Sequence, residues 1–305
     1  MAPATDDGAA VRVRGLTKSY GEVAAVKGID LEIARGEVFA LLGPNGAGKT
    51  TTVEILEGYR HRDQGEISVL GLDPSSQRAK LKKRIGIVLQ STGVDRYLTV
   101  AETIAMYSGY YPHPRPVDEV IGLVGLNEKR DARVVTLSGG QQRRLDVAIA
   151  LAGDPEMLFL DEPTTGFDPS ARHEAWEVVK SLADLGKTVL LTTHYMDEAQ
   201  YLADRVAVIA DGRLVAEGTP ATLAGRESAR ATVSYRLPAG TTPPPGLGDH
   251  SPGDDRLAFS PDDLTRAMYE LTRWAIDNDI TLESLQIQRP SLEDIYLQLT
   301  GGVHT

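Results

Sequence analysis

The sequence lacks cysteine, a basic surplus and any long apolar run. With no cysteine among 305 residues, disulfides and thiolate metal sites are excluded. The 43 acidic residues outnumber the 32 lysines and arginines, and the resulting net charge of −11 argues against a nucleic-acid partner. No apolar stretch approaches the roughly 18–20 residues that span a bilayer. Residues 1–7 also lack the basic and apolar regions of a signal peptide. These absences predict a cytosolic chain.

A glycine-rich string at residues 43–50, GPNGAGKT, has the spacing of a phosphate-binding loop. It follows an apolar run at 38–42, which suits a buried strand, and it precedes the start of a helix at 51–56. Its glycines allow the backbone N–H groups to point inward at phosphate oxygens, at the positive end of the helix. A chance glycine-rich turn would not need the flanking strand and helix. The predicted phosphate-binding residues are Gly43, Pro44, Asn45, Gly46, Ala47, Gly48, Lys49, Thr50 and Thr51.

Two residues of this loop have separate predicted roles. Lys49 is expected to reach the β- and γ-phosphates of a nucleotide. The hydroxyl of Thr50 is expected to coordinate Mg²⁺.

A second apolar run at residues 157–160 ends in the adjacent carboxylates Asp161 and Glu162. Buried charges are costly unless they are paired or bound to metal, so Asp161 at a strand end fits a Mg²⁺ ligand. Side chains alternate along a strand, so Glu162 points elsewhere and could accept a proton from an attacking water. A solvated acidic strand end is the alternative, and the phosphate-binding loop makes it the weaker one.

The string LSGGQ at residues 137–141 resembles the signature motif of the ATP-binding subunits of ABC (ATP-binding cassette) transporters. Ser138 stands where the N-cap of a helix belongs. The resemblance implies that Ser138 and Gly140 contact ATP held by another protomer, and Gly139 and Gln141 complete the motif. It therefore implies a head-to-tail pair of chains with ATP bound at their interface.

Further landmarks of this family follow in order along the chain. The resemblance implies that Tyr20 stacks on adenine and that Gln90 touches Mg²⁺ and the attacking water. It also implies that Asp168 lies in the loop that crosses to the partner and that His194 lies near the γ-phosphate. Taken alone, a tyrosine or histidine after a strand more often serves packing. Phe167 departs from the family's usual leucine but stays apolar, so we expect altered packing only.

The chain is long enough for more than one domain. We predict a disordered segment at 1–10, an ATP-binding cassette at 11–227 and an accessory α+β domain at 228–305. The fold class is α/β, a P-loop NTPase cassette with a mainly parallel sheet, an antiparallel β subdomain and a helical subdomain at about 91–153.

The C-terminal part predicts a compact α+β domain of ferredoxin-like type, without a catalytic constellation. Strands are expected at 229–237, 256–259 and 281–288. Ser260 and Pro261 have the pattern of an N-cap and first turn of a helix. The string at 291–301 resembles the C-terminal extension of the drug and natural-product exporter branch, which is daunorubicin-resistance-like.

Four tyrosines cluster within the predicted helical subdomain, and prolines follow them. Tyrosine is favoured at interfaces because it joins a large apolar body to a polar tip. The family resemblance implies that this region receives a helix of the membrane permease, although some of the rings could fill the subdomain core. The four are Tyr97, Tyr107, Tyr110 and Tyr111.

Three functions remain in competition at this point. The first is an ATPase subunit that powers export of a drug, antibiotic or lipid-like compound through a separate integral-membrane permease. The second is an importer subunit, and the third is a non-transport ABC ATPase. The first predicts ATP and Mg²⁺ as cofactors, a second copy of the chain as partner and a place at the cytoplasmic face of the membrane. Because no motif is degenerate, a homodimer is favoured over a heterodimer.

Overall fold

The structure is a computed structural model that describes residues 8–88, 93–228, 230–238, 241–250 and 256–300. The chain divides into two compact units, with a boundary between Pro220 and Ala221 and a return to the first unit at Leu299. This boundary falls seven residues before the one predicted at 227. The predicted disordered segment lies outside the described residues up to position 7, but residues 9 and 10 already belong to a strand. The bounds of the cassette, 11 and 227, stay predictions.

The first unit contains an antiparallel sheet in the order β2-β1-β4 and a six-stranded sheet in the order β5-β6-β7-β3-β8-β9. In the second sheet only β9 runs antiparallel. The strands are β1 (Ala9–Tyr20), β2 (Val23–Ala34), β3 (Val38–Leu42), β4 (Gln64–Val69), β5 (Ile85–Val88), β6 (Met157–Asp161), β7 (Thr188–Thr193), β8 (Arg205–Ala210) and β9 (Arg213–Gly218). The mainly parallel sheet and the antiparallel β subdomain are thus confirmed.

Burial explains the two kinds of sheet. All five residues of β3 are buried, as expected for a parallel strand covered on both faces. Along β2, buried residues alternate with exposed ones from Ile29 onward, which suits an antiparallel strand with one solvated face.

The helices of the first unit are α1 (Lys49–Leu56), α2 (Arg78–Leu81), α3 (Val100–Ser108), α4 (Val117–Leu123), α5 (Gly139–Leu151), α6 (Pro169–Asp184) and α7 (Met196–Leu202). Residues 93–153 contain α3, α4, α5 and two short 3-10 turns without a strand, as the prediction of a helical subdomain requires. In the part of the chain that the structure describes, no helix is both long and apolar enough to cross a membrane.

The parallel strands bring the motifs to one edge of the sheet. β6 and β7 pair in register so that Asp161 lies opposite Thr192, and Leu42 at the end of β3 lies opposite Thr193. The carboxyl ends of these three strands therefore meet beside the loop that follows β3. In open parallel sheets this edge is where ligands bind.

The second unit is a four-stranded antiparallel sheet in the order β11-β12-β10-β13, with two helices. Its elements are β10 (Thr232–Arg236), β11 (Asp249–His250), β12 (Leu257–Phe259), α8 (Leu264–Asp277), β13 (Glu283–Gln288) and α9 (Leu292–Leu299). Its buried core contains Val233, Tyr235, Leu257 and Leu271. An α+β unit is confirmed, but the ferredoxin-like type is wrong. That type has two helices that each connect two strands of the sheet, whereas among the described residues α8 alone does so, between β12 and β13, and α9 follows the last strand.

The predicted helix start in this unit is also wrong. The N-cap of α8 is Asp263, whose side chain accepts a hydrogen bond from the backbone N–H of Arg266. The hydroxyl of Ser260 lies instead 3.0 Å from that of Thr232 on the neighbouring strand. Ser260 therefore belongs to the end of the sheet, and the cap moves three residues along the chain.

Candidate functional site

The glycine-rich loop lies between β3 and α1, tightly packed against two neighbouring strands. A Cβ on Gly48 would lie 2.4 Å from the carbonyl oxygen of Ala25, and Gly48 has a φ of +105°. A Cβ on Gly43 would lie 2.4 Å from the carbonyl oxygen of Ile209. Only glycine fits either position, so the close packing of the backbone explains the motif's fixed glycines. The predicted strand–loop–helix context is confirmed.

Lys49 lies inside the curve of this loop. Its ammonium donates hydrogen bonds to the carbonyl oxygens of Gly43 at 2.6 Å and Pro44 at 3.2 Å, and the residue is 6% exposed. Burial lowers the pKa of this ammonium, and the carboxylates of Glu162 and Asp161 oppose that shift. The lysine thus faces both acidic residues, in a position suited to an anionic ligand beside the loop.

Asp161 ends β6, and its carboxylate accepts a hydrogen bond from the hydroxyl of Thr192 at 2.5 Å. Thr50, at the start of α1, has an exposed side chain. Hydroxyl and carboxylate oxygens are ligands that Mg²⁺ prefers, with phosphates and water supplying the remainder. Within the described residues, no cluster of three or more metal-ligating side chains occurs. The oxygen donors of Thr50 and Asp161 fit Mg²⁺ as two of its ligands.

Glu162 has a left-handed backbone with a φ of +44°, which is uncommon for a residue with a side chain. Its N–H donates to the carbonyl oxygen of Thr192 at 3.1 Å. Its carboxylate lies 3.3 Å from Nδ1 of His194 and accepts from the hydroxyl of Thr165 at 3.1 Å. The side chains of Glu162 and His194 are 17% and 38% exposed, so both remain accessible to water. The structure therefore brings these two predicted residues together.

Ser138 is the N-cap of α5, as the sequence predicts. Its hydroxyl accepts from the N–H of Gln141 at 3.3 Å, and the Gln141 carboxamide accepts from the N–H of Ser138 at 3.0 Å. This capping box fixes the start of the helix. Ser138 and Gly139 are exposed and Gly140 is half-buried, so the motif lies on the surface of the chain.

The remaining predicted residues have different outcomes. Asp168 caps α6, its carboxylate accepting from the N–H of Ala171 at 3.0 Å. Tyr20 ends β1 and is 41% exposed, and the cationic groups of Lys18 and Arg60 each lie 5.5 Å from its ring centre. Gln90 lies outside the described residues.

Two buried charged residues near the site are not among those predicted from the sequence. Arg143 on α5 donates to the backbone around Glu162, and Glu198 on α7 accepts from Thr164 at 2.8 Å and from the indole of Trp176 at 3.1 Å. Burial raises the pKa of the Glu198 carboxyl. Their partners lie 18 to 34 positions away along the chain, so no local pattern indicates them. The spacing of Arg143 and Asp146 was the one available signal, since i,i+3 pairs meet on a helix.

Glu57, at the end of α1, provides a pH-dependent prediction. Burial, followed by the charge of Asp161, raises the pKa of its carboxyl from 4.5 to about 8. The folded state then binds more protons than the unfolded state between these values, so this carboxyl makes stability fall as pH rises toward 8. The loss of stability caused by ionising this buried carboxyl is absent below about pH 4.5 and complete above about pH 8.

We therefore expect Glu57→Gln to stabilise the chain increasingly from about pH 5 to about pH 8, by up to a few kcal/mol at about 1.4 kcal/mol per pKa unit. Urea unfolding curves of both chains, without nucleotide or metal, measure the difference in unfolding free energy at each pH. Other titrating groups cancel in this difference. A difference that does not change with pH would contradict the assignment.

This arrangement defines a P-loop ATPase, and comparisons with known proteins identify its family. Residues 26–165 match the ABC transporter family, and residues 231–291 match the C-terminal domain of ABC transporter domain-containing protein-like chains. The chain belongs to the ATP-binding subunits of ABC transporters. It binds ATP, and its enzymatic class is that of an ATPase.

Its relatives bear out the exporter-branch resemblance. The chain is 39% identical to the daunorubicin resistance ATP-binding protein DrrA2 of Streptomyces coeruleorubidus, over 97% of this chain and 96% of that protein. It is 40% identical to the Nod factor export ATP-binding protein I of Sinorhizobium fredii, over 96% and 86%. It also resembles the dimeric post-hydrolysis structure of an ATP-binding cassette bound to ADP and Pi, with a TM-score of 0.61, 27% identity and coverage of 68% and 98%.

Proposed function

We propose that this chain powers the export of a drug-, antibiotic- or lipid-like compound through a separate membrane permease. The observation that carries the proposal is the Glu162–His194 pair beside the buried ammonium of Lys49. It is the arrangement that ATP hydrolysis requires: a cation for the phosphates and a carboxylate for the attacking water. The direction of transport rests on relatives named for daunorubicin resistance and Nod factor export.

Each ATP is held by two chains in this proposal. The loop N–H groups and Lys49 of one protomer bind the phosphates, and Tyr20 of that protomer packs on the adenine. Ser138 and Gly140 of the second protomer cover the γ-phosphate from the other side. Both chains thus contribute to each site, and the resulting assembly is a homodimer with its chains head to tail. A dimer is the state of the cassette bound to ADP and Pi that this chain resembles.

Hydrolysis follows from the positions of the acidic residues. Glu162 accepts a proton from the attacking water, whose oxygen forms the new bond to the γ-phosphorus as the bond to the β-phosphate oxygen breaks. His194, 3.3 Å from that carboxylate, steadies the γ-phosphate and Glu162 together. Thr50 and Asp161 would hold Mg²⁺, which neutralises charge on the phosphates when bound. Gln90 completes the set for water and metal.

The permease is proposed to bind the helical subdomain. Tyr97 and Tyr110 are 76% and 75% exposed, and Met106 is also exposed. Large exposed rings of this kind are typical of interface cores. Tyr107 is half-buried and its ring centre lies 6.2 Å from that of Tyr110. Tyr111 differs, because its ring packs directly on Gly153, where a Cβ would lie 2.3 Å away.

Affinity purification of the tagged chain from native membranes tests this proposal. We expect a multispanning membrane protein to co-purify, and a Tyr97→Ala, Tyr110→Ala double variant to reduce its recovery at least about fivefold, roughly 1 kcal/mol of binding. Tyr269→Ala, which removes a 61% exposed tyrosine from α8, is the matched control.

Three results would contradict the proposal. Recovery of no membrane protein would refute the permease partner. Unchanged recovery with the double variant, in protein that melts at the wild-type temperature, would place the permease elsewhere on the chain. A co-purifying external binding protein would point to import instead.

A further inference from the structure

Arg143 is a buried arginine that bridges the signature helix and the strand end that bears Glu162. It lies on α5, and its side chain is 8% exposed. Its Nε donates to the carbonyl oxygen of Pro163 at 3.0 Å, and its Nη2 donates to that of Asp161 at 3.2 Å. These carbonyls belong to the residues on either side of Glu162. One guanidinium therefore holds both flanks of that residue.

The backbone of Glu162 needs such a restraint. A left-handed conformation costs a residue with a side chain roughly 1–2 kcal/mol relative to the usual regions. Such a conformation persists only where the surroundings over-determine it. At Glu162, with its φ of +44°, the backbone restraints include the bond from its N–H to Thr192, the bond from the N–H of Thr165 to its carbonyl oxygen, and the two bonds from Arg143 to the flanking carbonyls. Without Arg143, the peptide units beside Glu162 would lose two charge-assisted hydrogen bonds.

Arginine suits this position for a chemical reason. Its planar guanidinium presents several donors in a fixed fork, whereas a lysine ammonium is a compact point charge. A buried cation also needs a counter-charge, and Asp146, one turn along α5, lies 3.7 Å from Nη1 of Arg143. Burial lowers the pKa of the guanidinium, and Asp146 opposes the shift.

The helix that carries Arg143 also carries the signature motif. Ser138 caps α5 five residues earlier, about 7.5 Å along the helix axis at 1.5 Å per residue. A helix moves as a rigid rod over so short a distance. In the proposed dimer, Ser138 contacts the ATP bound by the partner, whereas Glu162 acts on the ATP bound by its own chain. A movement of α5 toward the partner's ATP would therefore also move the backbone beside Glu162.

We propose that Arg143 is a positioning residue for Glu162 and that it couples the two ATP sites of the dimer. The coupling rests on the proposed function, in which the signature motif of each chain serves the site of its partner. When α5 moves toward the partner's ATP, Arg143 moves with it. Its hydrogen bonds then reposition the carbonyl groups of Asp161 and Pro163. Glu162 then faces the attacking water only after both sites are filled.

Steady-state hydrolysis by the full-length chain tests this role with Arg143→Gln and Arg143→Lys. Glutamine loses the charge and the fork, whereas lysine keeps the charge and reaches one carbonyl. Arg115→Gln is the matched control, because Arg115 is a half-buried arginine of the same subdomain that pairs with Asp154 and Glu119. The readouts are kcat, the Kd of a fluorescent ATP analogue, the Hill coefficient for ATP and the melting temperature.

We expect Arg143→Gln to lower kcat by about tenfold to a hundredfold, the range for a misplaced catalytic group. The Kd is expected to change less than about twofold, since the loop and Lys49 remain intact. The Hill coefficient is expected to fall from between about 1.5 and 2 in the wild type to about 1, since cooperativity needs coupled sites. Arg143→Lys is expected to give an intermediate kcat. Arg115→Gln is expected to show the wild-type kcat and the wild-type Hill coefficient.

Wild-type kcat and cooperativity in Arg143→Gln would overturn the proposal while leaving the proposed function in place. If Arg143→Gln fails to fold, Arg143→Lys decides, and wild-type kinetics there would also overturn it. A fall in melting temperature without a change in kcat or Hill coefficient would show a structural role only. A wild-type chain that turns over ATP without cooperativity overturns the coupling, and one without turnover contradicts the proposed function as well.

Discussion

Replacing Glu162 by glutamine is expected to lower kcat for ATP hydrolysis by about 10²–10⁴-fold, the usual contribution of a general base. The amide has the shape of the carboxylate and can still accept from the Thr165 hydroxyl, but it cannot take a proton from water. The loop and Lys49 are unchanged, so we expect ATP to bind with a Kd within about twofold of wild type. In the proposed dimer, ATP holds the two chains together and its hydrolysis releases them, so the variant is expected to accumulate as a dimer with ATP.

Phosphate release measures kcat, and light scattering with gel filtration in ATP and Mg²⁺ measures the dimer. Glu128→Gln is the matched control, because it removes an exposed carboxylate from the 3-10 turn at Asn127–Lys129. It is expected to hydrolyse ATP at the wild-type rate and to show no trapped dimer. Wild-type hydrolysis by Glu162→Gln would refute the role of Glu162 as base. Loss of ATP binding would show instead that the charge of Glu162 is needed to maintain the structure of the binding site.

Local chemistry explains which parts of the site are predictable from the sequence. The loop from Gly43 to Thr50 is predictable because its glycine spacing and the helix start directly behind it lie in one short string, although the contacts that require Gly43 and Gly48 are with distant strands. The predicted N-cap at Ser138 likewise depends on a residue only three positions away, since its hydroxyl accepts from the N–H of Gln141. Such patterns are complete within a short string, so the sequence predicts them correctly.

Long-range contacts explain what the sequence does not indicate. The bonds from Arg143 to Asp161 and Pro163 join residues 18 and 20 positions apart, and an arginine within a polar helical run resembles a solvated residue. Ser260 shows the opposite failure. It has the local pattern of an N-cap, but its contact with Thr232, 28 positions away, keeps it at the end of the sheet. Packing between elements distant in the chain determines both the role of Arg143 and the position of the N-cap of α8. Such packing leaves no local pattern in a single sequence.

Replacing Lys49 by alanine is expected to act on binding, in contrast to Glu162→Gln. A hydrogen bond to a charged group contributes about 1.5–3 kcal/mol, so the Kd for ATP is expected to rise by about tenfold to a hundredfold or more. Lys49 is also the cation that faces Asp161 and Glu162, and its loss leaves the two carboxylates beside the incoming phosphates. Electrostatic repulsion then adds to the lost hydrogen bonds. No ATP-dependent dimer is expected at ATP concentrations that saturate the wild type.

Titration with a fluorescent ATP analogue measures the Kd, and the double variant Lys49→Ala, Glu162→Gln separates the two steps. Because binding precedes hydrolysis, the double variant is expected to behave as Lys49→Ala alone, with weak binding and no trapped dimer. Lys83→Ala removes an exposed lysine beyond the end of α2 and serves as the control, with an unchanged Kd. Wild-type affinity in Lys49→Ala would contradict the loop assignment. A trapped dimer in the double variant would mean that ATP closes the two chains without this ammonium, and that the loop N–H groups alone hold the phosphates.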